Sequence, residues 1–333
     1  MDVLLLIGSD RPKEAGDRLA HEGVNDIRSW ISWPHGSIRV LHIDQSTAPR
    51  DIDAGLPSGG ILINCMSDPD VNPRTLATVR TLISNFNYPV INHPDAVERT
   101  RRDRISELLR DVPGLLVPQT LRLSSNELAR LTAEMIQFPV IIREAGAHGG
   151  FDLLKVDSPS ELSDAAQQFS QAEAVYVTEF VNFVSADGYY RKIRLFVVGG
   201  EVVPRHHMVS QSWNVHMRSR TEIMLPSPEL RAEEEEFFRS MPSVIGERAV
   251  AGLVEAVRRV GLDYFGIDCA LMSDGRLVVF EANATMNVLP LSSQPEFAYL
   301  KAPVVEIVKS FNTLIQSRIP QSPVVSHVDA LQS

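Results

Sequence analysis

Apolar residues near the start of the chain fall into two repeating patterns. Val3-Leu4-Leu5-Leu6-Ile7 is an unbroken apolar run, and Ile38–Ile43, Gly60–Met66 and Tyr88–Asn92 are further short strand-like runs. The first is of the kind that a strand buried on both faces carries. Between Asn72 and Phe86 the period changes: Leu76, Val79, Leu82 and Ile83 recur at helical spacing, with Pro73 where a helix tolerates proline. Strands alternating with a helix predict a parallel sheet with helices on its faces. The turn after the first strand, Gly8-Ser9-Asp10, lacks a full GxGxxG, so a dinucleotide site is not supported.

The pattern then becomes mixed. A helix is predicted from about Pro94 to Arg110, carrying the charged run Glu98 to Arg104. A strand near Pro118, a helix from Ser125 to Ile136 and a strand from Pro139 to Arg143 lead to a glycine-bearing loop, Gly146-Ala147-His148-Gly149-Gly150. Strands follow at Phe151–Val156 and Val175–Phe180, and Gly199-Gly200 marks a hairpin turn between Arg194–Val198 and Glu201–Arg205. Leu230–Arg239, with four consecutive glutamates, predicts a solvated helix face. Val250, Leu253, Val254 and Val257 form an amphipathic stripe that ends at Gly261. From about Gln316 the chain reads as a loose polar tail.

The richest segment runs from Tyr264 to Asn283. Asp274-Gly275 is a two-residue hairpin signal, which sets Ser273 opposite Arg276 and, further along the ladder, Asp268 opposite Glu281. Asn283 lies two residues beyond Glu281 and shares its face. Nearly everything else in the two strands is apolar, so the acids are predicted to be buried. Carboxylates facing each other there repel, and both are costly to desolvate. A divalent cation offsets that cost, and oxygen ligands suit magnesium, which commonly takes one or two carboxylates and the phosphates of a substrate. A shared proton, or an arginine bonded to one acid, are the alternatives.

Composition narrows the classes. Hydrophobic residues are 44% and charged residues 22% of the 333, which is ordinary globular content, about two domains' worth. Lys+Arg is 32 against Asp+Glu 42, a formal charge of −10, which argues against nucleic acid as the main partner. No apolar run is long enough to span a bilayer, and two cysteines form neither a disulfide framework nor a zinc site, so a cytoplasmic setting is expected. Within this acidic chain, Arg205 to Arg220 gathers three histidines, three arginines and Trp213. That mixture reads as a substrate wall, with Arg205 and Arg218 for a carboxylate, Trp213 for an apolar or cationic group, and His207 and His216 for proton transfer. A metal site of His206, His207 and His216 is less favoured, because adjacent residues of a strand point to opposite faces. A partly exposed polar loop around one packed tryptophan is the other reading.

Taken in order, these segments resemble the ATP-grasp superfamily of carboxylate–amine ligases, whose nucleotide domain ends in an Asp and then Glu-x-Asn. Asp268, Glu281 and Asn283 match those magnesium ligands. Phe138 to Arg143 is similar to the family's strand ending in a basic ATP contact, here Arg143. Gly146 to Gly150 resembles its phosphate-covering loop, which implies ATP contacts from His148, Gly149 and Gly150. Thr178-Glu179-Phe180-Val181 resembles the hinge that receives adenine, and Arg194 matches an arginine at the phosphates. Arg104 is the best match for a basic residue near the start of the domain. The family usually has lysine at this position and at Arg143, and a forked guanidinium is not equivalent to an ammonium. Asp187, soon after the hinge, is a ribose candidate, or simply part of a Ser185–Gly188 turn.

The resemblance implies an α/β fold with an N-terminal parallel-sheet domain over 1–93. A two-lobed ATP-grasp domain over 94–315 would follow, its small lobe about 119–182 and its large lobe about 183–315, with a tail over 316–333. It implies ATP and Mg2+ as cofactors, an acid and an amine joined through an acylphosphate, Arg194 and Arg205 as catalytic residues, no nucleic-acid or membrane partner, and a homodimer in many members. A nucleotide-binding protein without ligase turnover is the alternative, motivated by the two Lys-to-Arg departures.

Overall fold

The computed structural model describes residues 2–319, apart from 11, 16–17, 22, 26, 45–46, 48–59, 86–87, 148–149, 151–152 and 289–291. The chain opens with β1 (Asp2–Gly8), an antiparallel ribbon of β2 (Pro12–Ala15) and β3 (Arg18–His21), then β4 (Ile38–Ile43), β5 (Gly60–Asn64), helix α1 (Pro73–Ile83) and β6 (Val90–Ile91). β4, β1, β5 and β6 form a parallel sheet in that order, as the alternating pattern predicts. The continuous apolar run of β1 has a direct cause. Leu4 and Leu6 enter one core, while Val3, Leu5 and Ile7 enter another. Side chains of a strand alternate between faces, so a strand with a core on each side has no polar position.

Helices α2 (Pro94–Glu98) and α3 (Arg102–Leu109) come next, followed by the two-residue β7 (Leu115–Leu116). A single helix was expected from Pro94 to Arg110. The chain instead breaks over 99–101, where the Thr100 side chain and N–H both bond back to the Val97 carbonyl. The expected helix over 125–136 shortens to α4 (Ser125–Leu128), held by a capping box of Ser124 and Glu127. Leu131 and Ile136 pack on the small core from outside the helix.

β8 (Thr120–Leu123), β9 (Val140–Glu144), β10 (Leu154–Val156) and β11 (Val175–Glu179) form an antiparallel sheet, order β10-β9-β11-β8, packed by helix α5 (Leu162–Gln168) around a core of its own. β12 (Tyr190–Val198) and β13 (Glu201–Ser210) make the Gly199-Gly200 hairpin, and β14 (Tyr264–Leu271) and β15 (Leu277–Asn283) make a second. With β7 they build a sheet of order β13-β12-β14-β15-β7. Ile193, Leu195 and Val197 of β12 pack into the core that holds Leu4 and Leu6. Phe196 and Val198 pack into the other core, beside Trp30 and Phe311. The N-terminal sheet and this five-stranded sheet are therefore joined through shared cores.

Two helices complete the packing. Helix α6 (Pro228–Val260) leaves helical geometry at Ser240 and Gly246. It begins in the stretch expected to be a solvated face, but Glu234 is fully buried. Helix α7 (Lys301–Ser317) packs Phe311 between Trp30 and Tyr264. The expected tail start at Gln316 lies inside this helix, and residues 320–333 lie outside the described ones.

The β14–β15 turn differs from the expected two-residue loop. Gly275 N–H donates to the Met272 carbonyl and Met272 N–H to Arg276, so the loop is Ser273-Asp274-Gly275, with Gly275 at φ +80°. Leu271 thus pairs with Leu277, one residue off the expected register, and the offset holds to Cys269–Val279. Phe280 then bulges, and Asp268 pairs with Glu281 after all.

Candidate functional site

A cavity of about 480 Å3 lies between the four-stranded antiparallel sheet β10-β9-β11-β8 and the five-stranded sheet. One row of side chains crosses its floor. Arg194 on β12 is in register with His206 on β13 and with Asp268 on β14, and Asp268 is in register with Glu281 on β15. All four line the cavity. Neighbouring strands place them about 5 Å apart in the order Glu281, Asp268, Arg194, His206.

The acids of this row each have a cation. Arg194 grips Asp268 in a forked pair, Nε–Oδ1 2.6 Å and Nη2–Oδ2 2.8 Å, and Lys192 Nζ is 3.4 Å from Oδ2. Burial would raise the Asp268 carboxyl, but Arg194 and Lys192 outweigh it and hold the acid far below the usual carboxylate range. Glu281 Oε2 takes a 2.7 Å bond from Arg102, and its Oε1 one from Asn283 Nδ2. Paired arginines, one of the alternatives to a metal, are thus what balances the acids here. Asn283 lines the cavity but departs from the expected convergence of three oxygens: its Oδ1 accepts the N–H groups of Thr285 and Met286.

The donor set can be weighed against a divalent cation. Among the described residues no three His, Cys, Asp or Glu side chains come together. Two carboxylates on facing strands do line the cavity, beside a volume that phosphates can fill. That fits magnesium, which takes few protein oxygens and completes its shell with phosphates and water. Gly266, opposite Asn283, keeps the floor thin, since a Cβ there would lie 2.4 Å from Met286 Sδ.

The start of the domain needs correction. Arg104 is exposed and pairs with Glu107, outside the cavity wall. The helix break at 99–101 turns Arg102 inward instead, onto Glu281. Arg143 lines the cavity with its Nη2 on the Ala147 carbonyl and its Nε buried without a partner among the described residues. Burial, with Arg102 nearby, lowers its pKa to about 10, so it stays charged at neutral pH. It is a buried cation in the wall of a void, which suits an anion. Arg104→Ala is expected to leave thermal stability and ATP-analogue affinity unchanged within about 0.5 kcal/mol, whereas Arg102→Ala lowers both. Equal effects in a titration of the two variants would contradict the placement.

At the other end, Glu179, Phe180 and Val181 line the cavity where β11 ends. The N–H groups of Glu179 and Phe180 are committed to the carbonyls of Gln119 and Pro139, so they are not available to a ligand. Trp213 stands edge-on to Phe180, ring centres 5.6 Å apart, and Asn214 Nδ2 donates to the Gly150 carbonyl at 3.1 Å. Trp213, Asn214, His216 and Gly150 all line the cavity, joining the glycine-bearing loop to the loop after β13. His148 and Gly149 lie outside the described residues. Asp187 is not in the wall: its carboxylate is taken by a forked pair with Arg191 at 2.8 and 2.7 Å, which together with the Tyr189 N–H holds it down at about 2, and the turn reading stands.

The expected substrate wall divides. Arg205 is the extra residue of a β-bulge, since Arg194 pairs with His206 but Leu195 with Pro204. It lies outside the cavity wall, its Nε donating to the Val288 carbonyl at 2.9 Å, and burial with Arg220 nearby lowers its pKa to about 10. His207 is also outside the wall, its ring stacked on Phe237 at 5.0 Å and its N–H bonded to Glu234. Arg218 is exposed and outside the wall. The bulge instead presents His206 and Met208 to the cavity. Burial, with Arg194 beside it, pushes the His206 imidazole well below its usual range, so the ring is neutral at pH 7. Behind β13, Glu234 holds a forked pair with buried Arg220, 2.7 and 2.9 Å, and accepts the Tyr299 hydroxyl at 2.7 Å.

Comparison with known proteins adds what the chain is similar to. Residues 105–236 match the family model of the RimK-like ATP-grasp domain. A tetrahydromethanopterin:alpha-L-glutamate ligase of Methanococcus maripaludis is 28% identical over 204 residues, which is 60% of this chain and 62% of that relative, a little under two thirds of its length. The ATP-complexed D-alanine–D-alanine ligase of Bacillus anthracis shares the fold over 96% of this chain and 98% of its own at TM-score 0.56, with 12% identity. A RimK domain ATP-grasp protein of Sphaerobacter thermophilus does so over 95% and 100% at TM-score 0.52, with 16% identity. The cavity thus lies in a fold shared with ATP-grasp proteins, and residues 105–236 around it are similar to the RimK-like ATP-grasp domain.

Proposed function

We propose that the chain is an ATP- and magnesium-dependent carboxylate–amine ligase that works through an acylphosphate. The observation that carries this reading is the row Glu281, Asp268, Arg194, His206 on one cavity floor. Asp268 and Glu281 would hold the cation, with Asn283 keeping Glu281 in place. The cation, when bound, neutralises charge on the phosphates of ATP. Arg143 and Arg102 lie where phosphates would pass, and Arg194, once its grip on Asp268 relaxes, can turn to the transferring group. The aromatic and apolar end near Phe180, Val181 and Trp213 suits adenine.

The chemistry follows from charge. A carboxylate is a poor electrophile. Its oxygen attacks the γ-phosphorus, the bond from that phosphorus to the β-bridging oxygen breaks, and ADP leaves. The amine nitrogen then attacks the acyl carbon, the acyl carbon–oxygen bond breaks, and phosphate departs with a proton from the amine. Arginines stabilise the charge on the transferring group. The glycine-bearing loop and the Trp213 loop, tied through Asn214 and Gly150, are suited to exclude water from the acylphosphate. The relative's name joins tetrahydromethanopterin with α-L-glutamate; what we carry over is the joining of an acid to an amine. No helix among the described residues is long and apolar enough to cross a membrane, which suits action on dissolved substrates.

Release of ADP across a panel of acids and amines tests the proposal. ADP release that requires both an acid and an amine is expected. ATP binding with no ADP release for any pair would move the reading to a nucleotide-binding partner protein.

A further inference from the structure

His206 is the member of the floor row that the ligase chemistry above leaves unused. It sits one strand beyond Arg194, on the side away from Asp268 and Glu281. Its ring lines the cavity and is buried, 6% exposed. Its Nε2 is buried with no hydrogen-bond partner among the described residues. An orphaned lone pair is tolerated better than an orphaned N–H, so the proton of the neutral ring belongs on Nδ1. Nδ1 is not among the buried atoms without a partner, so on this cavity-lining ring it is the nitrogen left to donate into the void, from a strand and not from a loop.

We propose that His206 is a catalytic residue that donates this Nδ1–H hydrogen bond to the acyl oxygen of the acid substrate. The inference rests on the ligase reading. If the phosphates sit over the acid pair and the transferring group at Arg194, the acceptor carboxylate lies next along the row, over His206. One carboxylate oxygen attacks phosphorus, and the other needs a donor. When the amine adds to the acyl carbon, that second oxygen takes up the negative charge, and a fixed donor is worth most there. The imidazole keeps its proton throughout, and the amine's proton leaves with phosphate.

Two measurements test it. The first is the 15N spectrum of histidine-labelled wild type, with the His206 signals identified by their loss in His206→Asn. An Nδ1–H tautomer is expected, and an Nε2–H tautomer or a charged ring at pH 7 overturns the proposal. The second compares His206→Asn, whose side-chain amide falls near Nδ1, with His206→Gln and His206→Leu, whose side chains place no donor there. Acid-stimulated ADP release is measured with acetate, L-glutamate and N-acetyl-L-glutamate as probes, and affinity for a non-hydrolysable ATP analogue is measured alongside. The Gln and Leu variants are expected to lose about 100-fold in the stimulated rate, the Asn variant far less, with analogue affinity equal in all four proteins. Equal rates in all variants, or no stimulation of the wild type by any probe while the analogue binds, overturn the role of His206. Failure of the wild type to bind the analogue would instead overturn the ligase reading.

Discussion

Glu281→Ala is expected to abolish the magnesium-dependent part of ATP-analogue binding while leaving the fold intact. In wild type, a ligand at a hundredfold excess over its Kd raises stability by about 2.7 kcal/mol, visible as a rise in Tm. Magnesium needs carboxylate oxygens that face the phosphates, and among the described residues only Asp268 and Glu281 occupy facing positions on the floor. Removing Glu281 halves that set. It also frees Arg102, whose guanidinium otherwise donates to Glu281 at 2.7 Å, to meet phosphate directly. The variant should therefore bind the analogue with the same affinity with and without magnesium. Titration calorimetry in both conditions checks this. A variant whose affinity still rises with magnesium as in wild type would remove the acid pair from the metal role.

Glu234→Ala carries the largest expected loss of stability, about 3–5 kcal/mol, because it leaves a buried cation without its partner. Glu234 is fully buried and Arg220 is 3% exposed, so solvent cannot take over the lost bonds. The forked pair, the Tyr299 hydroxyl and the His207 N–H all depend on this one carboxylate. Glu234→Ala with Arg220→Met should recover part of the loss, since removing both charges costs less than stranding one. Urea unfolding of the two variants and wild type measures the difference. A single-variant cost below about 1 kcal/mol would mean that the network contributes little. Because the His207 bond fixes β13 directly behind His206, the single variant should also lose acid-stimulated turnover in the protein that remains folded.

The sequence made some of this legible and hid the rest for identifiable reasons. The unbroken apolar run of β1 reads correctly as a strand buried on both faces, because no polar position survives between two cores. The facing of Asp268 and Glu281 was also read correctly, but through two offsets that cancel: a three-residue turn at Gly275 and a bulge at Phe280. Neither device has a pattern signal of its own. The bulge at Arg205 had the opposite effect. Strict alternation along β13 cannot tell which of Arg205, His206 and His207 faces the cavity, and the extra residue placed His206 there. Arg104 was favoured over Arg102 because the helix break at 99–101 is made by Thr100 bonding back to Val97, a choice that helical periodicity does not express. Glu234 was hidden in a run of four glutamates, where composition suggests solvent and only tertiary packing singles out the one that meets Arg220. Asp187 and Arg218 were drawn in by nearness along the chain, whereas the fold leaves both at the surface.

The central claim is that the acid pair of the floor row, Asp268 and Glu281, holds a magnesium–nucleotide complex for acyl transfer. Calorimetric titration of wild-type protein with a non-hydrolysable ATP analogue, in the presence and absence of magnesium, tests it most directly. The account predicts saturable binding that magnesium strengthens by at least tenfold, about 1.4 kcal/mol. Binding that is indifferent to magnesium, or no binding at all, would contradict it.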